Sequence, residues 1–73
     1  MANNIYSDEY KKITGKLREA RIEAGFTQEQ VAEKLGKPQS YVSKSEAGER
    51  RLDVTELKNF ARLYKKEIKY FLE

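Results

Sequence analysis

Three glycines, at positions 25, 36 and 48, divide most of this chain into segments that are each long enough for one helix. The 73 residues include only four glycines and one proline, so these residues mark segment ends and are not scattered through a flexible chain. No long stretch alternates between apolar and polar residues as a strand does. The sequence therefore predicts an all-α fold. Apolar residues three or four positions apart outline the first helix at Tyr10, Ile13, Leu17, Ala20 and Ala24.

Capping residues define the ends of the first two predicted helices. Ser7 suits the N-cap of the first helix, and Gly25 suits its C-cap. Thr27 and Gln30 have the spacing of a capping box, in which each side chain accepts from the other residue's backbone N–H group. The second helix is then about eight or nine residues long and ends at Gly36.

Three further helices are expected in the second half of the chain. Pro38 suits the first turn of a helix that runs to about Ala47. Asp53 or its neighbour begins a fourth helix, and residues 67–73 form a short fifth helix.

Gly15 lies inside the first helix, where a glycine marks either close packing or simple tolerance.

Composition excludes several classes of function. The chain has no cysteine and no histidine, which are the usual nucleophile, general base and zinc ligands. We therefore expect no enzymatic activity, no cofactor, no metal and, in so small a core, no small-molecule ligand. No apolar run approaches the roughly 20 residues of a membrane span. The N-terminus lacks a signal-peptide pattern, so no membrane contact and an intracellular location are expected.

Residues 28–47 have the pattern of a helix-turn-helix, in which two short helices meet at Gly36. Ala32 is small where the helices would cross, and Val42 faces back onto the second helix. The pattern continues through Ile13-Thr-Gly-Lys-Leu-Arg-Glu-Ala-Arg, Gly25-Phe-Thr-Gln, Val31-Ala-Glu-Lys-Leu-Gly, Tyr41-Val-Ser-Lys, Glu46-Ala-Gly, Phe60-Ala and Phe71-Leu-Glu. On these motifs the chain resembles the lambda-repressor-like (Cro/repressor, XRE-type) family of DNA-binding proteins.

The resemblance implies a compact five-helix domain over residues 10–73, with residues 1–9 as an N-terminal arm or the start of the first helix. It also implies a transcriptional repressor that reads double-stranded DNA with the helix at 38–47 in the major groove. One such domain makes few base contacts, so we expect a homodimer on a palindromic operator. Such a protein would act in the cytoplasm, at the nucleoid.

The outward face of the third helix supplies the candidate base-reading residues. With Val42 in the core, a helical wheel directs Ser40 and Lys44 away from it and places Tyr41 and Ser43 on the flanks. Gln39 lies at the N-terminal end, where recognition helices approach base edges. Glutamine can pair with adenine, and lysine can donate to guanine. The candidate readers are Gln39, Ser40, Tyr41, Ser43 and Lys44.

Other residues are candidates for phosphate contact or for holding the fold. Gln28 starts the second helix, where backbone N–H groups attract phosphate. The resemblance implies that this residue also braces the glutamine at 39, and that Arg21 and Glu46 form a structural ion pair. The remaining phosphate candidates are Lys37, Arg50 and Arg51.

The predicted dimer interface is the C-terminal helix, at Tyr70, Phe71 and Leu72. Ile68 and either Phe71 or Leu72 are needed to close the core, so Tyr70 is the favoured contact. The N-terminal arm, with Ile5 and Tyr6, is a second candidate interface. Three positions depart from the family pattern: Pro38 replaces a capping hydroxyl, Ser45 replaces a large apolar residue, and Lys65-Lys66 replaces a glycine and an apolar residue. The alternative function is a protein-interaction module, such as an antitoxin or an assembly domain, built on the same fold. The polar face of the third helix and the Arg50-Arg51 pair favour DNA.

Overall fold

Five helices account for most of residues 7–73, the part of the chain that the computed structural model describes. They are α1 (Asp8–Ala24), α2 (Gln28–Leu35), α3 (Gln39–Ala47), α4 (Val54–Tyr64) and α5 (Ile68–Leu72). Within the described residues there is no strand, which confirms the predicted all-α class. The predicted helix-turn-helix is also confirmed, because α2 and α3 follow one another across the turn at Gly36. Residues 1–6 of the predicted arm lie outside the described residues, and Asp8 and Glu9 belong to α1.

The predicted helix starts at Ser7 and Thr27 are confirmed by their hydrogen bonds. The Ser7 hydroxyl accepts from the Tyr10 N–H at 3.2 Å, and Thr27 forms the reciprocal capping box with Gln30. Because Pro38 is the N-cap of α3, the helix begins at Gln39, one residue later than predicted. The proline side chain makes no capping hydrogen bond.

A second capping box begins α4, where the candidate cap was Asp53 or a neighbour. The Asp53 carboxylate accepts from the Glu56 N–H at 2.7 Å, and the Glu56 carboxylate accepts from the Asp53 N–H at 3.0 Å. The Asp53-x-x-Glu56 spacing carries this signal in the sequence itself.

The core contains side chains from all five helices, with α1 in contact with α3, α4 and α5. Ala24 was predicted to lie on the inward face of α1, but it is exposed. In this last turn of α1 it is Arg21 that packs inward, against Glu46 of α3. The buried apolar residues are Leu17, Ala20, Val31, Ala32, Val42, Leu57, Phe60, Ala61, Tyr64 and Phe71.

The connection from α3 to α4 is held closely against α1. Gly48 ends α3 at φ +74°, and a Cβ there would lie 3.2 Å from the Thr14 hydroxyl. Beyond it, the Tyr10 hydroxyl donates to the Arg50 carbonyl oxygen at 2.6 Å and accepts from the Leu52 N–H at 3.0 Å. The Tyr10 hydroxyl therefore fixes the backbone of this loop to α1.

Within residues 7–73, no helix is both long and apolar enough to cross a membrane.

Candidate nucleic-acid interface

The surface that could meet DNA is built on α2, the turn at Gly36 and α3. Gly36 adopts a left-handed conformation at φ +69°, which lets α3 turn back across α2. Val31 and Ala32 of α2 pack with Val42 of α3 in the core, so the opposite side of α3 faces outward. On that side Gln39, Ser40 and Lys44 are exposed and Ser43 is half-buried. The structure thus brings four of the five candidate base readers onto one polar face.

A chain of polar contacts links this face to a buried ion pair. Arg21 of α1 donates to Glu46 from Nε at 2.7 Å and from Nη2 at 3.2 Å, and its Nη1 donates to the Phe26 carbonyl oxygen. Gln28 Nε2 donates to Glu46 Oε1 at 3.0 Å. Gln39 Nε2 then donates to Gln28 Oε1 at 3.4 Å. The chain runs from α1 through the end of α3 and the start of α2 to the first residue of α3.

The Arg21–Glu46 ion pair is largely buried. The side chain of Glu46 is only 3% exposed and that of Arg21 is 11% exposed. The hydrogen bond to Glu46 raises the pKa of the Arg21 guanidinium, although burial acts in the opposite direction. Because an unpaired buried charge is costly, loss of either partner should destabilise the fold by about 3–5 kcal/mol.

Tyr41 lies in a packed position, unlike the other candidate base readers. Its ring stacks on Phe60 with a centroid separation of 6.0 Å and an interplanar angle of 13°. The Arg50 guanidinium lies 4.4 Å from the ring centroid and the Lys37 ammonium 5.2 Å from it. Burial is the main reason that the pKa of Tyr41 is raised. Tyr41 thus joins α3 to the core and to the following loop.

Arg50 is also held within the protein. Its Nη2 donates to Glu56 Oε2 at 2.9 Å, and its Nη1 donates to the Ser45 hydroxyl at 3.4 Å. The hydrogen bond from Arg50 lowers the pKa of Glu56, and the Asp53 N–H acts in the same direction. Arg51 is exposed, as are Lys37 and Lys44.

Sequence reasoning did not find the contacts around Arg50. Tyr10 was interpreted only as an apolar position of α1, although a half-buried tyrosine hydroxyl usually needs a hydrogen-bond partner. The capping-box spacing of Asp53 and Glu56 could have placed a carboxylate near the loop. The interactions of Glu56 with Arg50 and Tyr41 have no local sequence pattern, because the three residues lie on α4, the loop and α3.

The C-terminal helix presents less apolar surface than the sequence suggested. Phe71 was a candidate interface residue, but it is 1% exposed and closes the core of its own chain. Tyr70 is half-buried against Phe71, with the ammonium groups of Lys16 and Lys66 at 5.5 Å and 4.5 Å from its ring centroid. Leu72 is 60% exposed, so Leu72, and not the favoured Tyr70, is the candidate whose side chain is largely free to meet a partner.

Two short helices at a left-handed glycine turn, with a polar outer face on the second, define a helix-turn-helix protein. The sequence model for the helix-turn-helix family matches residues 17–71. The chain belongs to the XRE family of helix-turn-helix proteins, which are DNA-binding regulators of transcription.

A solved structure supports the same assignment. It is an XRE-family like protein from Pseudomonas syringae pv. tomato str. DC3000, with a TM-score of 0.79 and 45% sequence identity. The match covers 88% of this chain and 78% of that chain. A comparison with curated proteins found no match.

Proposed function

We propose that this chain is a sequence-specific transcriptional repressor that binds a palindromic operator as a homodimer, with α3 in the major groove. The observation that carries the proposal is the exposed polar face of α3, with Gln39 held by Gln28 at its leading end. A helix of this kind fits the major groove and reads bases from its N-terminal part. Repression is the simplest outcome, because occupancy of a promoter by itself blocks transcription.

The base contacts are assigned to the outward side chains of α3. Gln39 is suited to adenine and Lys44 to guanine, while Ser40 and Ser43 accept or donate according to the base they meet. Tyr41 supports this face from its packed position and is not assigned a base contact of its own. In this function the protein acts in the cytoplasm, at the nucleoid.

The phosphate contacts are assigned to groups that form no ion pair with a carboxylate among residues 7–73. The side-chain amide of Gln28 is engaged by Glu46 and Gln39, so its contribution to phosphate binding is the backbone N–H at the start of α2. Lys37 and Arg51 supply exposed positive charge beside α3. Arg50 is already paired with Glu56 and is not assigned a phosphate.

Selection on a random double-stranded DNA library tests the proposal. At about 0.15 M salt with non-specific competitor, we expect enrichment of a palindrome whose half-sites lie about ten base pairs apart. Gln39→Ala should lose selection at one position of each half-site, whereas Lys58→Ala, an exposed change on α4, should leave the selected sequence unchanged. Weak binding without enrichment would contradict the proposal and favour the protein-interaction module, either an antitoxin or an assembly domain.

A further inference from the structure

We propose that Glu46 is a positioning residue for base recognition, because through Gln28 it fixes which atoms of Gln39 face the DNA. The inference rests on the proposed function and adds a specificity role to the buried ion pair. Glu46 itself is 8% exposed and does not reach the surface, so its effect on DNA must pass through Gln28 and Gln39.

The first step is the orientation of the Gln28 amide. A carboxylate can only accept hydrogen bonds. Arg21 supplies two donors to Glu46, and the Gln28 side chain supplies a third at 3.0 Å. A flipped Gln28 amide would place its carbonyl oxygen against the carboxylate and lose that bond. Glu46 therefore holds the Gln28 NH₂ group inward and its carbonyl oxygen outward.

The second step passes this orientation to α3. The outward carbonyl oxygen of Gln28 accepts from Gln39 Nε2 at 3.4 Å. An acceptor at this point selects the NH₂ side of the Gln39 amide. Gln39 is exposed and keeps one N–H and its carbonyl oxygen for other partners. The spatial order of that donor and acceptor is therefore set from inside the protein.

The order of donor and acceptor matters because base edges are also ordered. Adenine presents an N7 acceptor beside an N6 amino donor in the major groove, and a glutamine amide matches both when its two ends face the correct atoms. A flipped amide would oppose donor to donor and acceptor to acceptor. By preventing the flip, Glu46 favours one orientation of one A·T pair.

Two variants separate this role from a purely structural one. Glu46→Gln keeps the size of the side chain at position 46. Because its amide both donates and accepts, the Gln28 amide can hydrogen-bond to it in either orientation. Gln28→Met removes the relay while leaving the Arg21–Glu46 ion pair in place. Glu33→Gln, an exposed change on α2, is the matched control for loss of a carboxylate charge.

The measurement is the ratio of affinities for the selected operator and for operators altered at single base pairs. Gln39→Ala first identifies the base pair that Gln39 reads. At that pair the wild-type ratio should be about tenfold or more and should fall to less than about threefold in Glu46→Gln and Gln28→Met. Ratios at the other base pairs, and all ratios in Glu33→Gln, should stay at wild-type values.

The outcomes distinguish this inference from the proposed function. If the wild-type protein selects no sequence, the proposed function fails. If it selects an operator but a folded Glu46→Gln protein keeps the wild-type ratio at the Gln39 position, the role of Glu46 is overturned. An equal loss of selection at every base pair would also overturn it, since that result describes general damage to the fold. If Glu46→Gln does not fold, an unchanged ratio in Gln28→Met would by itself overturn the role, because any effect of Glu46 must pass through Gln28.

Discussion

Arg50 and Arg51 are sequence neighbours with different electrostatic environments. The Arg50 charge is neutralised by Glu56 and its guanidinium lies on Tyr41, whereas Arg51 is exposed. When the protein binds DNA, a side-chain cation releases DNA counterions only if it neutralises a phosphate. A cation that stays paired with a carboxylate of the protein neutralises none. The two residues should therefore act on DNA binding in different ways.

The salt dependence of DNA affinity measures this difference. Arg51→Ala should reduce the slope of log affinity against log salt by about 0.9, the value for one phosphate contact in B-DNA. Arg50→Ala should leave the slope unchanged while weakening binding, because the loop loses its contact with Tyr41. Filter binding or fluorescence anisotropy between 50 mM and 200 mM salt, roughly the range in which such slopes are measured, gives both values. Equal reductions in slope for the two variants would show that Arg50 leaves Glu56 for a phosphate.

Lys65 carries backbone strain at the end of α4. Its φ of 59° places it in the left-handed region, and it is the one non-glycine residue there among residues 7–73. Its side chain is exposed, so the conformation is imposed by the C-cap and not by side-chain packing. Glycine adopts this conformation without steric cost.

Lys65→Gly should therefore stabilise the protein by about 0.5–1 kcal/mol, since relief of strain exceeds the added entropy of the unfolded chain. The urea midpoint of unfolding reports the change. Lys69→Gly is the matched control, because Lys69 lies within α5 and its replacement should destabilise the helix. A lower midpoint for Lys65→Gly would show that the lysine side chain has a stabilising role.

At the scale of elements, the two glycines that bear on α1 have opposite environments. An added Cβ at Gly15 would meet no atom of the described residues within 4 Å. Of the two interpretations of this glycine, simple tolerance is therefore the one that holds. At Gly48 the same Cβ would lie 3.2 Å from the Thr14 hydroxyl and 3.3 Å from Lys11 Cγ, at a positive φ.

Alanine substitution should consequently change stability in opposite directions at the two positions. Gly15→Ala should stabilise α1 by roughly 0.5–1 kcal/mol, the difference in helix propensity. Gly48→Ala should destabilise by about 2 kcal/mol, because it combines backbone strain with a close contact between α1 and the end of α3. Thermal and urea unfolding of the two proteins give the comparison. A stabilised Gly48→Ala protein would mean that α1 and the end of α3 can separate without cost.

The elements that the sequence predicted well are those whose signals are local. The Thr27 box and the glycine helix ends each involve residues within five positions of one another. By contrast, the Tyr10 hydroxyl contacts a carbonyl 40 positions away, and Arg50, in the loop, contacts Glu56 of α4 and Tyr41 of α3. Such contacts depend on how the helices pack against one another. The spacing of apolar residues within one helix does not predict that packing.

The same limit explains the C-terminal helix. With only five residues, α5 is too short for periodicity to decide which side faces inward. Phe71 and Leu72 were therefore both candidates for the interface, and only packing against α1 and α4 distinguishes the buried Phe71 from the exposed Leu72. Residue type favoured either one equally.

At the scale of the whole molecule, DNA geometry constrains how two copies could associate. One chain measures 36 × 24 × 19 Å. Adjacent half-sites on one face of B-DNA lie about 34–36 Å apart, so two copies in contact can place their α3 helices one helical turn apart. The contact must leave the α3 face free. Leu72 on α5 meets that requirement, since α5 packs chiefly on α1 and α4.

Leu72→Asp should therefore weaken the dimer without changing the fold or the selected half-site. Loss of the second half-site contact should lower operator affinity by about a hundredfold or more, because linked binding events gain at least that factor from effective concentration. Sedimentation velocity with and without operator DNA measures the change in assembly, and titration gives the affinity. Ile22→Asp is the control, because Ile22 is 52% exposed on α1 and makes a comparable apolar-to-charged change. If Leu72→Asp keeps wild-type affinity and assembly while Ile22→Asp loses both, the subunits meet through α1 and the C-terminal helix is only the closing element of the core.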